Sequence, residues 1–121
     1  GKPFLTTSHD LDITVDQRRD HLVVAVAGEI DYGNVSRLRS ALLDLAREPS
    51  GDEVRVDLSQ VAFIDSTALS VLVQAKQRLE TQGRAMTVFD PQPRVERVLE
   101  LGGLLEYLGQ PSQGRGSDPA S

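Results

Sequence analysis

The stretch Val56-Asp57-Leu58-Ser59-Gln60-Val61-Ala62-Phe63-Ile64-Asp65-Ser66-Thr67-Ala68-Leu69-Ser70-Val71-Leu72-Val73 constrains this chain more than any other part of it. An alternating strand runs through a short apolar loop into Asp-Ser-Thr, and an apolar-faced helix follows at once. Short polar residues at the mouth of a helix place hydroxyls and unpaired backbone N–H groups at one point on the surface. A phosphate added there would sit where a helix best tolerates negative charge. Ser66 and Thr67 are therefore candidates for a switch.

The rest of the chain supplies a frame for that turn. Leu11-Asp12-Ile13-Thr14-Val15 alternates with period two and predicts a strand. Leu22 to Ala27 is apolar at successive positions, as expected of a central strand covered on both faces. Gly28-Glu29-Ile30-Asp31 ends it, with Asp31 and Asn34 as caps for a helix carrying Val35, Leu38, Leu42, Leu45 and Ala46. Pro49-Ser50-Gly51 stops that helix. Val54, Val56 and Leu58 predict a third strand with one wetter face. After Asp65, Ala68, Leu72, Ala75 and Leu79 form a helical stripe that Leu69, Val71 and Val73 widen, and Gln82-Gly83 closes the helix. Ala85 to Phe89 is the next strand. Pro91 and Pro93 open a shorter helix with Val95, Val98, Leu99 and Leu101, and Gly102-Gly103 ends it. Leu104 to Leu108 reads as a last strand or turn. The expected class is α/β, in the order β-β-α-β-α-β-α-β, with a mixed, mostly parallel sheet flanked by helices.

Composition sets the limits. A length of 121 residues with 39% hydrophobic content suits one domain with a small core. The last 13 residues, Gly109 to Ser121, lack Leu, Ile, Val, Phe and Tyr, and are expected to be disordered. The expected organisation is a flexible segment over 1–9, a domain over 10–108 and a tail over 109–121. The opening Gly1-Lys2-Pro3, without an initiator Met, fits a trimmed or added start. No apolar run is long enough for a membrane span and no signal-peptide pattern occurs, so a cytoplasmic protein without membrane association is expected. Cysteine is absent, which removes disulfides, thiolate metal sites and cysteine nucleophiles together. The formal net charge of −5 argues against direct nucleic-acid binding and favours a basic partner surface.

Each candidate residue also has a plain structural role open to it. Ser66 could simply cap a helix, a task Asp65 and Thr67 could also perform, at about 1 kcal/mol. With three residues competing for one cap, two hydroxyls are left potentially free. A hydrolytic Ser66 is disfavoured, because Ile64 and Ala68 stand where a nucleophile elbow has glycines. His9 and His21 lie at the frayed start and in the first turn, and neither makes a convincing base. No metal-ligand spacing is present, and Gly102-Gly103 lacks the spacing of a phosphate loop. The expectation is a non-enzyme without metal or cofactor.

Four segments carry a resemblance. Phe63-Ile64-Asp65-Ser66-Thr67-Ala68-Leu69, Gly28-Glu29-Ile30-Asp31, Val56-Asp57-Leu58-Ser59 and Leu101-Gly102-Gly103-Leu104 occur in the right order along Leu11 to Leu108. The chain resembles bacterial anti-sigma factor antagonists of the STAS domain family. The resemblance implies a STAS-type sheet and a partner that is both anti-sigma factor and serine kinase, with ATP bound by the partner and a phosphatase to reset the system. It also implies phosphorylation at Ser66 (alternatively Thr67) and a partner-binding surface of Asp31, Asp65, Ser66, Thr67, Ala68 and Ser70. Ala68 and Ser70 replace the family's two glycines, so a methyl group is expected where a kinase must approach. The alternative function is a non-phosphorylated STAS module that senses a small ligand or serves a lipid-transport complex as an accessory subunit.

Overall fold

The computed structural model describes residues 11–48 and 51–109. The expected flexible segment over 1–9, His9, Pro49-Ser50 and the tail after Gly109 lie outside the described residues. Two antiparallel strands open the chain, β1 (Leu11–Gln17) and β2 (His21–Ile30). Helix α1 (Val35–Ala46) leads to β3 (Glu53–Ile64), and α2 (Ser66–Glu80) leads to β4 (Met86–Phe89). Two short helices follow, α3 (Pro93–Leu101) and α4 (Leu105–Gly109). The sheet order is β1-β2-β3-β4, with β2, β3 and β4 mutually parallel.

That order explains which face is buried. Two successive right-handed crossovers that advance in the same direction place α1 and α2 on the same side of the sheet. Leu22, Val24, Val54, Val56, Met86 and Val88 share that side by register and are buried. Leu38, Leu42, Leu72, Ala75 and Leu79 pack down on them from the two helices. Val23 and Ala25, on the opposite face, are only half-buried. The expectation that β2 is covered on both faces is therefore corrected: the sheet has one dry face.

Two further corrections concern β3 and the C-terminal element. The expected apolar loop after Leu58 is a continuation of β3 to Ile64. Against β2, the register slips between Ala25 and Ala27 and again between Gly28 and Glu29, each time leaving an extra residue on β3. Such bulges break the period of two, so the buried positions run Val54, Val56, Leu58, Val61, Ile64. Gly28 sits inside β2 at the second slip with φ +118°, a conformation side chains rarely accept. Leu104 to Leu108 forms no strand. It turns as α4, with the Leu108 N–H donating to the Leu104 carbonyl at 2.9 Å and Leu108 fully buried. In so short an apolar run, periods of two and of 3.6 cannot be told apart.

Two long cations inside the structure were invisible to pattern reading. Lys76, 9% exposed, donates to the Met86 carbonyl at 2.7 Å and lies 5.0 Å from the Tyr107 ring, which ties α4 to α2 and β4. Arg84, 3% exposed, donates through Nη1 to the Leu45 carbonyl and through Nε to the Asp52 carbonyl, each at 2.9 Å. It thereby satisfies carbonyls at the C-terminal end of α1, aided by Gln82, which bonds the Ala46 carbonyl at 2.5 Å.

Candidate functional site

Parallel neighbours deliver their outgoing loops to the same end of a sheet. Ile30 and Ile64 are register partners at the C-terminal ends of β2 and β3, so Asp31 and Asp65 emerge side by side. The Asp65 N–H donates to the Ile30 carbonyl at 3.2 Å and so extends the ladder one step into the loops. This juxtaposition, across 34 positions of sequence, is what the fold contributes to the site.

Asp65 is the N-cap of α2 and organises both loops. Its Oδ1 accepts from the backbone N–H of Thr67 at 2.9 Å and of Ala68 at 3.2 Å, and also from the Thr67 hydroxyl. Its Oδ2 accepts from the Tyr32 N–H at 3.0 Å, pinning the β2–α1 turn to the start of α2. Burial would raise the Asp65 carboxyl. The Thr67 hydroxyl and the Ala68, Tyr32 and Thr67 N–H groups outweigh it and hold the group below its ordinary 3.8.

The competition among three caps is thus resolved. Thr67 is half-buried and its hydroxyl is committed to Asp65, so the expectation of two free hydroxyls is corrected to one. Ser66 is exposed, and its hydroxyl has no hydrogen-bond partner among the described residues. Ser70, one turn on, is exposed as well. Ala68 is corrected outright: it is 0% exposed and packs into the core, so its side chain reaches no partner. The Ala68 methyl, expected on the surface, points into the core instead.

The β2–α1 turn is held by Asn34, 4% exposed, whose amide donates to the Glu29 carbonyl at 2.8 Å and whose carbonyl accepts from the Asp31 N–H at 3.0 Å. Asn34 occupies the N-cap position of α1, yet its side chain makes no capping bond to that helix and instead braces the turn. The Asp31 carboxylate accepts from the Gly33 N–H at 2.9 Å. Tyr32 is left 83% exposed beside Asp65. Sequence reasoning missed Tyr32, although an aromatic between Asp31 and Gly33 in a turn was a usable signal.

His21 starts β2, at the opposite end of the sheet from Ser66. Nine residues of strand at about 3.3 Å each separate those two ends, far beyond proton-transfer reach. Among the described residues no histidine approaches Ser66, and no group of acidic or histidine side chains could hold a metal ion. No helix among them is long and apolar enough to cross a membrane.

Replacing the cap tests this construction. Asp65→Ala should lower unfolding free energy by about 1–2 kcal/mol, as loss of a helix cap does. Because the folded-state pKa lies below the unfolded one, the ionised carboxylate's contribution is fully present above about pH 4 and fades as pH falls through the folded value. Asp65→Asn keeps a cap but cannot titrate, so its urea midpoint should fall less steeply below pH 4 than that of the wild type. Parallel acid limbs for the two proteins would contradict this assignment.

The mixed four-stranded sheet thus brings two loops together at one end, with a polar helix start between them. The STAS domain family model matches residues 12–113, and the chain belongs to that family. It is 31% identical over 100 residues to the anti-sigma-B factor antagonist of Listeria monocytogenes, an alignment that covers 82% of this chain and 87% of that one. Among solved structures, an anti-sigma factor antagonist from Mycobacterium paratuberculosis superposes with a TM-score of 0.74 at 24% identity, covering 89% and 92% of the two chains. The Bacillus cell fate determinant SpoIIAA in its phosphorylated form superposes with a TM-score of 0.64 at 17% identity, covering 84% and 92%.

Proposed function

We propose that this protein is an anti-sigma factor antagonist whose docking surface is formed by the Asp31–Tyr32 turn and the start of α2, and that phosphorylation of Ser66 switches it off. In this reading the partner is an anti-sigma factor with serine-kinase activity that supplies the ATP, and a phosphatase resets the protein. The observation that carries it is the state of the hydroxyls: Ser66 is exposed and unbonded, whereas Thr67 beside it is tied to Asp65. Relatives named as anti-sigma factor antagonists support the partner class. The phosphorylated form solved for SpoIIAA supports the chemistry.

The proposed surface has the make-up of an interface. Tyr32 is a large exposed aromatic of the kind that dominates binding energy, and Asp31, Asp65, Ser66 and Ser70 form a polar rim. Asp31 and Asp65 suit a basic partner contact. The protein acts by binding and has no catalytic role of its own.

Pull-down from native cells followed by mass spectrometry tests partner and phosphosite in one sample. An anti-sigma factor should be recovered, with phosphate on Ser66. Ser66→Ala should retain that partner and take up no phosphate from it with ATP. Phosphate on Thr67 alone would overturn the site assignment. Recovery of transport proteins or of a bound small ligand, with no anti-sigma factor, would favour the accessory or sensing role instead.

A further inference from the structure

Beyond the switch serine, the solvent face of α2 carries a row spaced one turn apart: Ser66, Ser70, Gln74 and Arg78. Two shallow grooves meet along it and share Gln74. The first, about 510 Å³, includes Ser66, Leu69, Ser70, Val73 and Leu104. The second, about 350 Å³, lies between α1 and α2 and is lined by Arg39, Leu43, Gln74, Gln77, Arg78 and Thr81. Its lining includes no carboxylate, in a chain with 18 acidic and 13 basic residues. Arg39 and Arg78 are both exposed and form no ion pair among the described residues. Arg18, Arg47 and Arg55 each have an acidic partner, whereas Arg19, Arg37, Arg94 and Arg97 share the unpaired state among the described residues; what brings Arg39 and Arg78 together is their common groove.

We infer that the Arg39–Arg78 groove is a second docking point, which takes a carboxylate-bearing segment of the same protein that docks at Ser66. This inference rests on the function proposed above and adds to it. Two guanidinium groups flanked by two amides match carboxylates through charge-assisted hydrogen bonds, while the Thr81 hydroxyl donates to the Arg78 carbonyl at 2.6 Å. The groove continues from the proposed docking surface along one helix, so a single partner can cover both. Its sign is opposite to that of the Asp31–Asp65 end, which fixes the direction in which the partner lies across α2.

Distance gives the groove a separate task. Arg78 is 12 residues from Ser66, about 18 Å along the helix axis at 1.5 Å per residue. The screening length at physiological salt is about 8 Å. Charge added at Ser66 therefore scarcely alters the potential at Arg78. The Arg78 end of the groove contributes to binding to a similar degree in both states, while the serine end alone is switched. A kinase recruited in this way reaches Ser66 through an anchor that its own product does not destroy.

The test uses the purified anti-sigma factor recovered with the full wild-type chain. Arg39→Glu/Arg78→Glu should weaken binding of the unmodified protein about 10-fold or more, and the salt dependence of binding should flatten. The same pair of changes should weaken the residual binding of Ser66→Asp by a similar factor. For phosphorylation of Ser66, KM should rise with kcat nearly unchanged. Arg39→Gln/Arg78→Gln, which removes charge without reversing it, should fall between wild type and the reversed form, and unchanged circular dichroism and urea midpoints show that the variants fold. Wild-type binding that persists undiminished in the reversed variant, with the same salt slope, would overturn the groove and leave the proposed function intact. Failure of the wild-type chain to bind any anti-sigma factor would overturn both.

Discussion

Ser66→Asp should lower affinity for the anti-sigma factor at least about 100-fold while leaving the thermal midpoint nearly unchanged. A phosphate would add about −1.5 to −2 charges, and the Asp substitution about half of that. A helix start ordinarily offsets added negative charge by about 0.3–1 kcal/mol. Here the offset is at the low end, because Asp65 already occupies the Thr67 and Ala68 N–H groups. Asp65 is moreover held ionised at the same point. Taking the new charge out of water beside that carboxylate costs several kcal/mol without a cation to meet it, and each 1.4 kcal/mol is about tenfold in affinity. The fold is spared because the Ser66 side chain is exposed and takes no part in the cap. Titration calorimetry of the two proteins decides the matter. An affinity within threefold of wild type would sink the switch mechanism.

Arg84→Ala should destabilise the domain by about 3 kcal/mol, since hydrogen bonds to a charged group contribute about 1.5–3 kcal/mol each. Two such bonds, to the Leu45 and Asp52 carbonyls, are short, and the contact to the Glu48 carbonyl is longer at 3.5 Å. Opposing them is the cost of burying a guanidinium whose Nη2 finds no acceptor, which keeps the net below the sum of the bonds. The thermal midpoint should drop by more than about 10 °C, at about 4–8 °C per kcal/mol for a domain of this size. Because Arg84 lies near the end of α1 remote from the Asp31 turn, partner affinity of the folded fraction should be unaffected. A change of under 1 kcal/mol in urea unfolding would mean that water replaces the guanidinium at those carbonyls without loss.

These two residues mark how far the chain could be read directly. Ser66 was legible because its neighbours form a local pattern, a strand end followed by short polar residues and an amphipathic helix. Arg84 gave no signal. An arginine after Gln82-Gly83 looks like any solvated loop charge, and only the return of the chain beneath the end of α1 makes it structural. Lys76 was hidden for the same reason, within a helix whose other long polar residues face water. The bulges in β3 and the short α4 were misread because each depends on pairing or packing with distant residues, and the local period is ambiguous.

By itself, the sequence determined the alternation of strands and helices, the apolar stripe of α2 and the polar start at Asp65-Ser66-Thr67, since these follow from side-chain spacing over a few turns of chain. Tertiary structure alone decided that the aspartate capping α2 also receives the Tyr32 N–H, because parallel pairing of β2 and β3 delivers both loops to one end of the sheet. It also decided that Ala68 faces the core and that Arg39 and Arg78 share a groove. Those outcomes depend on which helices the crossovers bring together, and that is a matter of distances between residues far apart in the chain.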